Sequence, residues 1–234
     1  MGQNLREEIN FEPARRGGRN YGWRLREGLR PYDDRTPAAI LPLTEPIHDY
    51  GRSQGASVTG GFIYRGAALD PSFYGRYFYA DFVSGRVFSI GLHLDPQDGA
   101  TADDEREHTQ SLGSRDTLGM VSTFAQDQDG ELLLANFSAG AVLRIVPDFS
   151  VVPMAPEVSA ELHEDRVLLA WSRPGGADTV GYAVERVRDG TVVEQRRMER
   201  TESALNWVAG DCVRVRAEGA RGWSGPASRP ICRP

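Results

Sequence analysis

Short apolar runs of β type recur along this chain, and in its C-terminal third apolar and polar residues alternate with a period of two, the signature of strands that bury one face. Val58-Thr59-Gly60-Gly61-Phe62-Ile63, Tyr77-Phe78-Tyr79-Ala80-Asp81-Phe82 and Gly85-Arg86-Val87-Phe88-Ser89-Ile90 are short β-type runs punctuated by Gly, Pro and Ser. Val121-Ser122-Thr123-Phe124 and Leu132-Leu133-Leu134 follow, with Asp129-Gly130 as the positive-φ turn between them, then Ala141-Val142-Leu143-Arg144-Ile145. Further on, Val167, Leu169 and Trp171 alternate along one strand, Tyr182 and Val184 along another, and Val213, Val215 and Ala217 along a third. These patterns predict a half-buried antiparallel sandwich with Trp171 in its core. No long helical period occurs, so the class is all-β.

The wording of the first runs is specific. Ser57-Val58-Thr59-Gly60-Gly61-Phe62-Ile63-Tyr64-Arg65-Gly66, and the strands after it, resemble late blades of the glucose/sorbosone dehydrogenase family, the PQQ-dependent sugar dehydrogenases and their relatives. Gly2-Gln3-Asn4-Leu5-Arg6-Glu7-Glu8-Ile9-Asn10, Asn20-Tyr21-Gly22-Trp23 and Glu27-Gly28 match a second pair of motifs of the same family. That family folds as a six-bladed β-propeller. A blade takes about 40–50 residues, so residues 1–148 are expected to form about three blades, the C-terminal part of such a propeller. In the family the G-Q-N segment follows a strand ending in D-V, and here Met1 stands at the Val position. The chain is therefore expected to be the back half of a longer protein whose partner is the missing N-terminal half of the propeller. An open arc leaves apolar faces and strand edges unpaired.

Residues 149–155 read as a Pro-bearing linker, and residues 156–234 resemble a fibronectin type III domain, most specifically in Gly222-Trp223-Ser224-Gly225-Pro226. With Val213 and Val215 inward, Cys212 points outward beside Arg214 and Arg216; with Ile231 inward, Cys232 points outward as well. The two cysteines are expected to face each other across adjacent strands and form a disulfide, the alternative being two free thiols. A disulfide implies an exported protein, periplasmic or extracellular, and the absence of an N-terminal signal then fits truncation.

Composition narrows the field only slightly. Net charge is -6 with no dense basic run, which speaks against nucleic acid. No stretch reaches the roughly 20 apolar residues of a membrane span. The arginines of the C-terminal third read as a solvated β face. Asp95 to His108 reads as a solvated acidic loop, without the spaced ligand order of a calcium loop.

The resemblance implies PQQ over a calcium ion on the propeller axis, a histidine base and hydride transfer to the cofactor. The family's catalytic histidine lies in an early blade, and none of His48, His93, His108 and His163 matches it. No catalytic residue is assigned. The family's calcium contacts map onto Gly2 and Gln3 through backbone oxygens, with Glu7 as the supporting carboxylate; ordinary surface carboxylates at Glu7 and Glu8 are the alternative. Arg65 and Arg86 are the remaining cofactor candidates, with pairing to a carboxylate such as Asp81 as the bland reading. No Lys or Arg occupies Phe82-Val83-Ser84 or Met120-Val121-Ser122, where active family members carry basic residues; the non-catalytic hedgehog-interacting protein departs there too. Two functions remain. The first is the C-terminal portion of an aldose sugar dehydrogenase-like protein, inactive alone and binding neither PQQ nor calcium by itself. The second is a non-catalytic extracellular propeller–fibronectin protein that binds carbohydrate or protein.

Overall fold

The computed structural model describes residues 2–33, 41–95, 99–164, 166–220 and 223–233. Met1, Gly222 and, within the Asp95 to His108 stretch, residues 96–98, which enter the readings above, lie outside them. Strands dominate, with one short helix and one 3-10 turn. The chain divides into two compact units, Met1–Arg65 with Gly75–Ile145, and Gly66–Tyr74 with Val146–Pro234.

In the first unit, β1 (Arg6–Ile9) is followed by the two-residue strands β2 (Arg26–Glu27) and β3 (Arg30–Pro31), then β4 (His48–Gly51). β4 pairs antiparallel with β1, and β2 with β3. His48-Asp49-Tyr50 is thus part of a strand. β5 (Val58–Ile63), β6 (Tyr77–Asp81), β7 (Arg86–Leu94) and β8 (Ala100–Glu107) form a four-stranded meander in chain order. A short helix, α1 (Ser114–Leu118), leads into a three-stranded sheet of β9 (Val121–Gln126), β10 (Leu132–Asn136) and β11 (Ala141–Arg144).

The double glycine of the Ser57–Gly66 motif has a geometric cause. The β5–β6 register shifts between Thr59 and Phe62, and a Cβ on Gly61 would lie 2.0 Å from the Phe78 carbonyl oxygen. Only glycine lets the two backbones approach at this bulge. Tyr50, Tyr79, Phe88 and Ile90 form the buried cluster behind it. Asp81, fully buried, accepts hydrogen bonds from Tyr50 Oη (2.9 Å), Ser57 N (2.7 Å) and Ser84 N (2.8 Å).

β8 corrects the acidic-loop expectation. Ala100–Glu107 is an edge strand on β7, and its charges have partners on other elements. Arg76 binds Asp104 (2.9 Å), Arg86 binds Glu107, and His48 meets Glu105 (2.8 Å). His108, expected in that loop, is buried, stacked on Phe78 (centroids 5.3 Å) and hydrogen-bonded to Ser89 Oγ (2.8 Å).

The second unit contains β12 (Val158–His163), β13 (Arg166–Trp171), β14 (Thr179–Arg188), β15 (Thr191–Met198), β16 (Glu202–Asn206), β17 (Cys212–Gly219), β18 (Ser224–Ala227) and β19 (Ile231–Cys232). One sheet runs β12-β13-β16, the other β15-β14-β17-β18 with β19 also on β17. Val167, Leu169, Trp171, Tyr182, Val184, Val213, Val215 and Ala217 meet in one core, as their alternation predicts. Cys212 and Cys232 are directly opposed across β17 and β19 and are disulfide-bonded.

The arginines of this unit are not simply a solvated face. Asp211, fully buried, takes Arg186 (2.8 Å) and Arg188 (2.7 Å). Arg216 is only 2% exposed: it donates to Glu185 (3.1 Å) and to the carbonyls of Ala67 (2.8 Å) and Gly225 (3.1 Å). A carboxylate and fixed backbone acceptors make that burial tolerable.

Candidate functional site

Of the residues assigned by resemblance to cofactor and metal, Gly2, Gln3 and Glu7 lie on one short segment, while Arg65 and Arg86 lie on later ones. At Gly2 an added Cβ would fall 1.5 Å from the Arg6 carbonyl oxygen, so the chain turns back on itself tightly. The turn aims successive backbone N–H groups inward: Asn4, Leu5 and Arg6 donate to Glu27 Oε1 at 2.6, 2.7 and 3.1 Å. Burial pushes the Glu27 carboxyl up, but backbone hydrogen bonds from Leu5, Arg6, Asn4 and Gln3 more than offset it and hold the group below the ordinary carboxylate range. The Glu27-Gly28 pair is needed together, because Gly28 adopts φ +59° and a Cβ there would strike Asp49. Asp49 itself accepts from Arg6 Nε (2.8 Å) and Leu29 N (3.0 Å).

Glu7 is 1% exposed, so the surface-carboxylate alternative fails. Its Oε1 accepts from Arg52 Nη1 (2.8 Å) and its Oε2 from Val58 N (3.2 Å). The Arg52 guanidinium also donates to the Asn4 carbonyl (2.9 Å) and lies 3.8 Å from Glu27 Oε1. Glu27 Oε2 is buried with no hydrogen-bond partner. Among the described residues no group of three or more His, Cys, Asp and Glu side chains is placed to hold a metal ion. With both Glu7 oxygens engaged, a single carboxylate oxygen falls short of the six to eight oxygens, roughly, that calcium collects. The residues present do not fit a calcium-held cofactor.

Arg86 pairs with a neighbouring carboxylate, as the bland reading has it, and the partner is Glu107. It grips Glu107 with Nε (3.0 Å) and Nη2 (2.5 Å), donates to the Gln54 carbonyl (3.2 Å) and lies over the Phe88 ring. The hydrogen bond it donates to Glu107 raises its already high pKa. Arg65 is exposed, with Nη1 3.5 Å from the Tyr64 carbonyl. Gly2, Gln3 and Glu7 are therefore brought together, with Glu27 and Arg52 as unanticipated members. Glu27 was visible inside the second motif pair; Arg52, 45 residues from Glu7, carries no local signal.

Two cavities in this unit add residues that sequence reasoning missed. One, of about 650 Å³, is lined by Gln3, Trp23, Arg24, Tyr32 and Asp33. Trp23 and Tyr32 stack at 5.1 Å and are 55% and 39% exposed; Arg24 pairs with the buried Asp33 beside them. The other, of about 340 Å³, is lined by Val83, Gly85, Arg115, Asp116, Met120 and Ser138 among others. Arg115 enters it from α1, close to Met120 where no basic residue was found in the sequence.

No family model matches the chain. The HIPL2 protein of Arabidopsis thaliana is 28% identical over 172 residues, which are 62% of this chain and 23% of that protein. The chain thus spans less than a quarter of the curated relative it matches. Among solved structures, the twitchin kinase region from C. elegans (Fn31-NL-kin-CRD-Ig26) is 21% identical with a TM-score of 0.29, covering 35% of this chain and 17% of that one. A chain titled "Myokine structure" is 22% identical with a TM-score of 0.28, covering 34% of this chain and 93% of that one.

Proposed function

We propose that this chain is the C-terminal portion of a glucose/sorbosone dehydrogenase-like propeller, exported and joined to a fibronectin type III-like module, and that it is inert toward sugars alone. The motifs beginning at Gly2 and Ser57 support the family reading, and the meander β5–β8 built on Val58–Ile63 has the strand count of one blade. The disulfide is consistent with export. The observation that carries the inert reading is that none of the four histidines lines the cavities at Trp23 and at Arg115. A general base must reach the proton it takes, and His48 and His108 are instead held by Glu105 and by Phe78 with Ser89.

The test is dye reduction by purified chain with PQQ, calcium and a panel of aldoses. No turnover is expected, and PQQ-dependent turnover would overturn the proposal. The same assay on a reading frame extended upstream through the early blades is expected to gain turnover.

The exposed Trp23–Tyr32 stack favours a second reading, binding without chemistry. Flat apolar rings beside a charged pair suit the faces and hydroxyls of a carbohydrate. If the extended protein is inert on every sugar but binds oligosaccharides, and Trp23→Ala abolishes that binding, the second reading replaces the first.

A further inference from the structure

β16 is the last strand of the sheet β12-β13-β16, and its backbone groups divide between two sides. The Trp171 N–H donates to the Thr201 carbonyl at 2.9 Å, one step beyond the paired residues Ala170 and Glu202. Hydrogen-bonded pairs alternate along an antiparallel ladder. Ser203 and Leu205 therefore bond β13, while the N–H and C=O groups of Glu202, Ala204 and Asn206 point away from it. A cavity of about 570 Å³ lies along this edge, lined by Glu202, Ser203 and Ala204 and, across it, by Arg196, Met198 and Arg200. A row of unpaired donors and acceptors templates another strand.

The outward face of the same strands shows which strand fits. Val167, Leu169 and Leu205 turn into the core, so Arg166, Leu168 and Ala170 on β13 and Glu202, Ala204 and Asn206 on β16 face out. Leu168 is 42% exposed. Arg166 lies opposite Asn206 and Glu202 opposite Ala170, at the two ends of the pairing. Both charged residues are exposed, and among the described residues neither has an ion-pair partner.

We infer that β16 is a self-pairing edge, to which a second copy of this chain adds its own β16 antiparallel, with the two-fold axis at Ala204. This register pairs all five residues of the strand. It sets the two small Ala204 side chains side by side, flanked by Leu168 of each copy, and puts Glu202 opposite Asn206 of the second copy. One strand further on stands Arg166 of that copy. Alternating strand spacings of about 4.5 and 5.5 Å place it about 10 Å from Glu202 at Cα, a gap that a Glu and an Arg side chain span between them. The two charges left unpaired within one chain thus meet twice across the axis. The inference goes beyond the proposed function and is independent of it, because it concerns the second unit and not sugar binding or turnover.

The experiment is sedimentation of the full chain over a concentration series, with hydrogen exchange on the same samples. Wild type is expected to shift from one chain toward two as concentration rises, and the Glu202, Ala204 and Asn206 amides to exchange more slowly in step. Ala204→Pro removes a donor that faces only the free edge and is expected to abolish both effects. Glu202→Arg brings two guanidinium groups together at each end of the pairing and is expected to weaken the dimer about tenfold; adding Arg166→Glu is expected to restore it. Circular dichroism verifies that each variant is folded, and the exposed Glu202 carries the test should Ala204→Pro not fold. A chain that stays single at every concentration would overturn the inference. So would association that neither Glu202→Arg nor Ala204→Pro reduces, or a double charge exchange that associates no better than Glu202→Arg.

Discussion

At the scale of single residues, two side chains in the first unit make stability sensitive to acid. Hydrogen bonding from His48, with further bonds from Tyr79 and Gln54, outweighs burial and holds the Glu105 carboxyl at about 2 against an ordinary 4.5. A depressed carboxylate contributes stability that is complete above its unfolded value and is lost as pH falls through the folded one. Burial, with Arg76 and Arg106 nearby, lowers His108 to about 4 from 6.5. It stays neutral in the fold, so the unfolded chain takes up the extra proton below pH 6.5 and stability falls there too. Both groups act in the same direction. Urea unfolding as a function of pH should show stability declining below about pH 6.5 and more steeply below 4.5. Glu105→Gln should flatten the lower part of that decline, and the His108 ring resonance should titrate in NMR at about 4, well below the ordinary imidazole value.

At the scale of elements, the bulge in β5 makes a sharp contrast between adjacent glycines. A Cβ on Gly60 has its nearest neighbour, Tyr77 Oη, at 3.4 Å, whereas one on Gly61 would sit 2.0 Å from the Phe78 carbonyl. Gly61→Ala is expected to cost several kcal/mol, above the roughly 1–3 kcal/mol of ordinary overpacking, and Gly60→Ala well under that, as read by chemical denaturation. Elements with an apolar period were legible in the sequence: Val167, Leu169 and Trp171 share a core with Val213, Val215 and Ala217 because alternation fixes which face is buried. β8 was not. Its alternation is between charges, and what orders them is Arg86 and His48 on other strands and Arg76 just before β6, partners that no local window contains. The Arg52 cluster escaped for the same reason. The motif at Gly2–Glu7 gave the acceptors, and the donor lay across a sheet pairing.

At the scale of the whole molecule, no helix among the described residues is long and apolar enough to cross a membrane, and covalent closure is confined to the second unit. The Cys212–Cys232 bridge ties residues 20 apart, and loop-closure entropy values such a link at about 3 kcal/mol. Cys212→Ser with Cys232→Ser should lower stability by about that amount, measured by denaturant unfolding of the oxidised protein against the double variant, with the first unit's transition unchanged.

The inclusion of Gly66–Tyr74 in that second unit has a consequence for how it is made. Arg216 reaches back 149 residues to the Ala67 carbonyl, Ser224 N reaches 154 residues to Asp70 Oδ2 (3.0 Å), and Ala227 N bonds the Ala67 carbonyl at 3.2 Å. Contacts of such sequence separation raise contact order and slow folding. A nascent chain presents this piece long before the strands that use it, so the C-terminal unit cannot close by local pairing alone. Cutting the chain just before Val146 would separate Arg216 from the Ala67 and Leu69 carbonyls and leave a buried guanidinium leaning on Glu185 and the Gly225 carbonyl. Excised residues 146–234 should therefore refold to a less stable product than the same unit within the full chain.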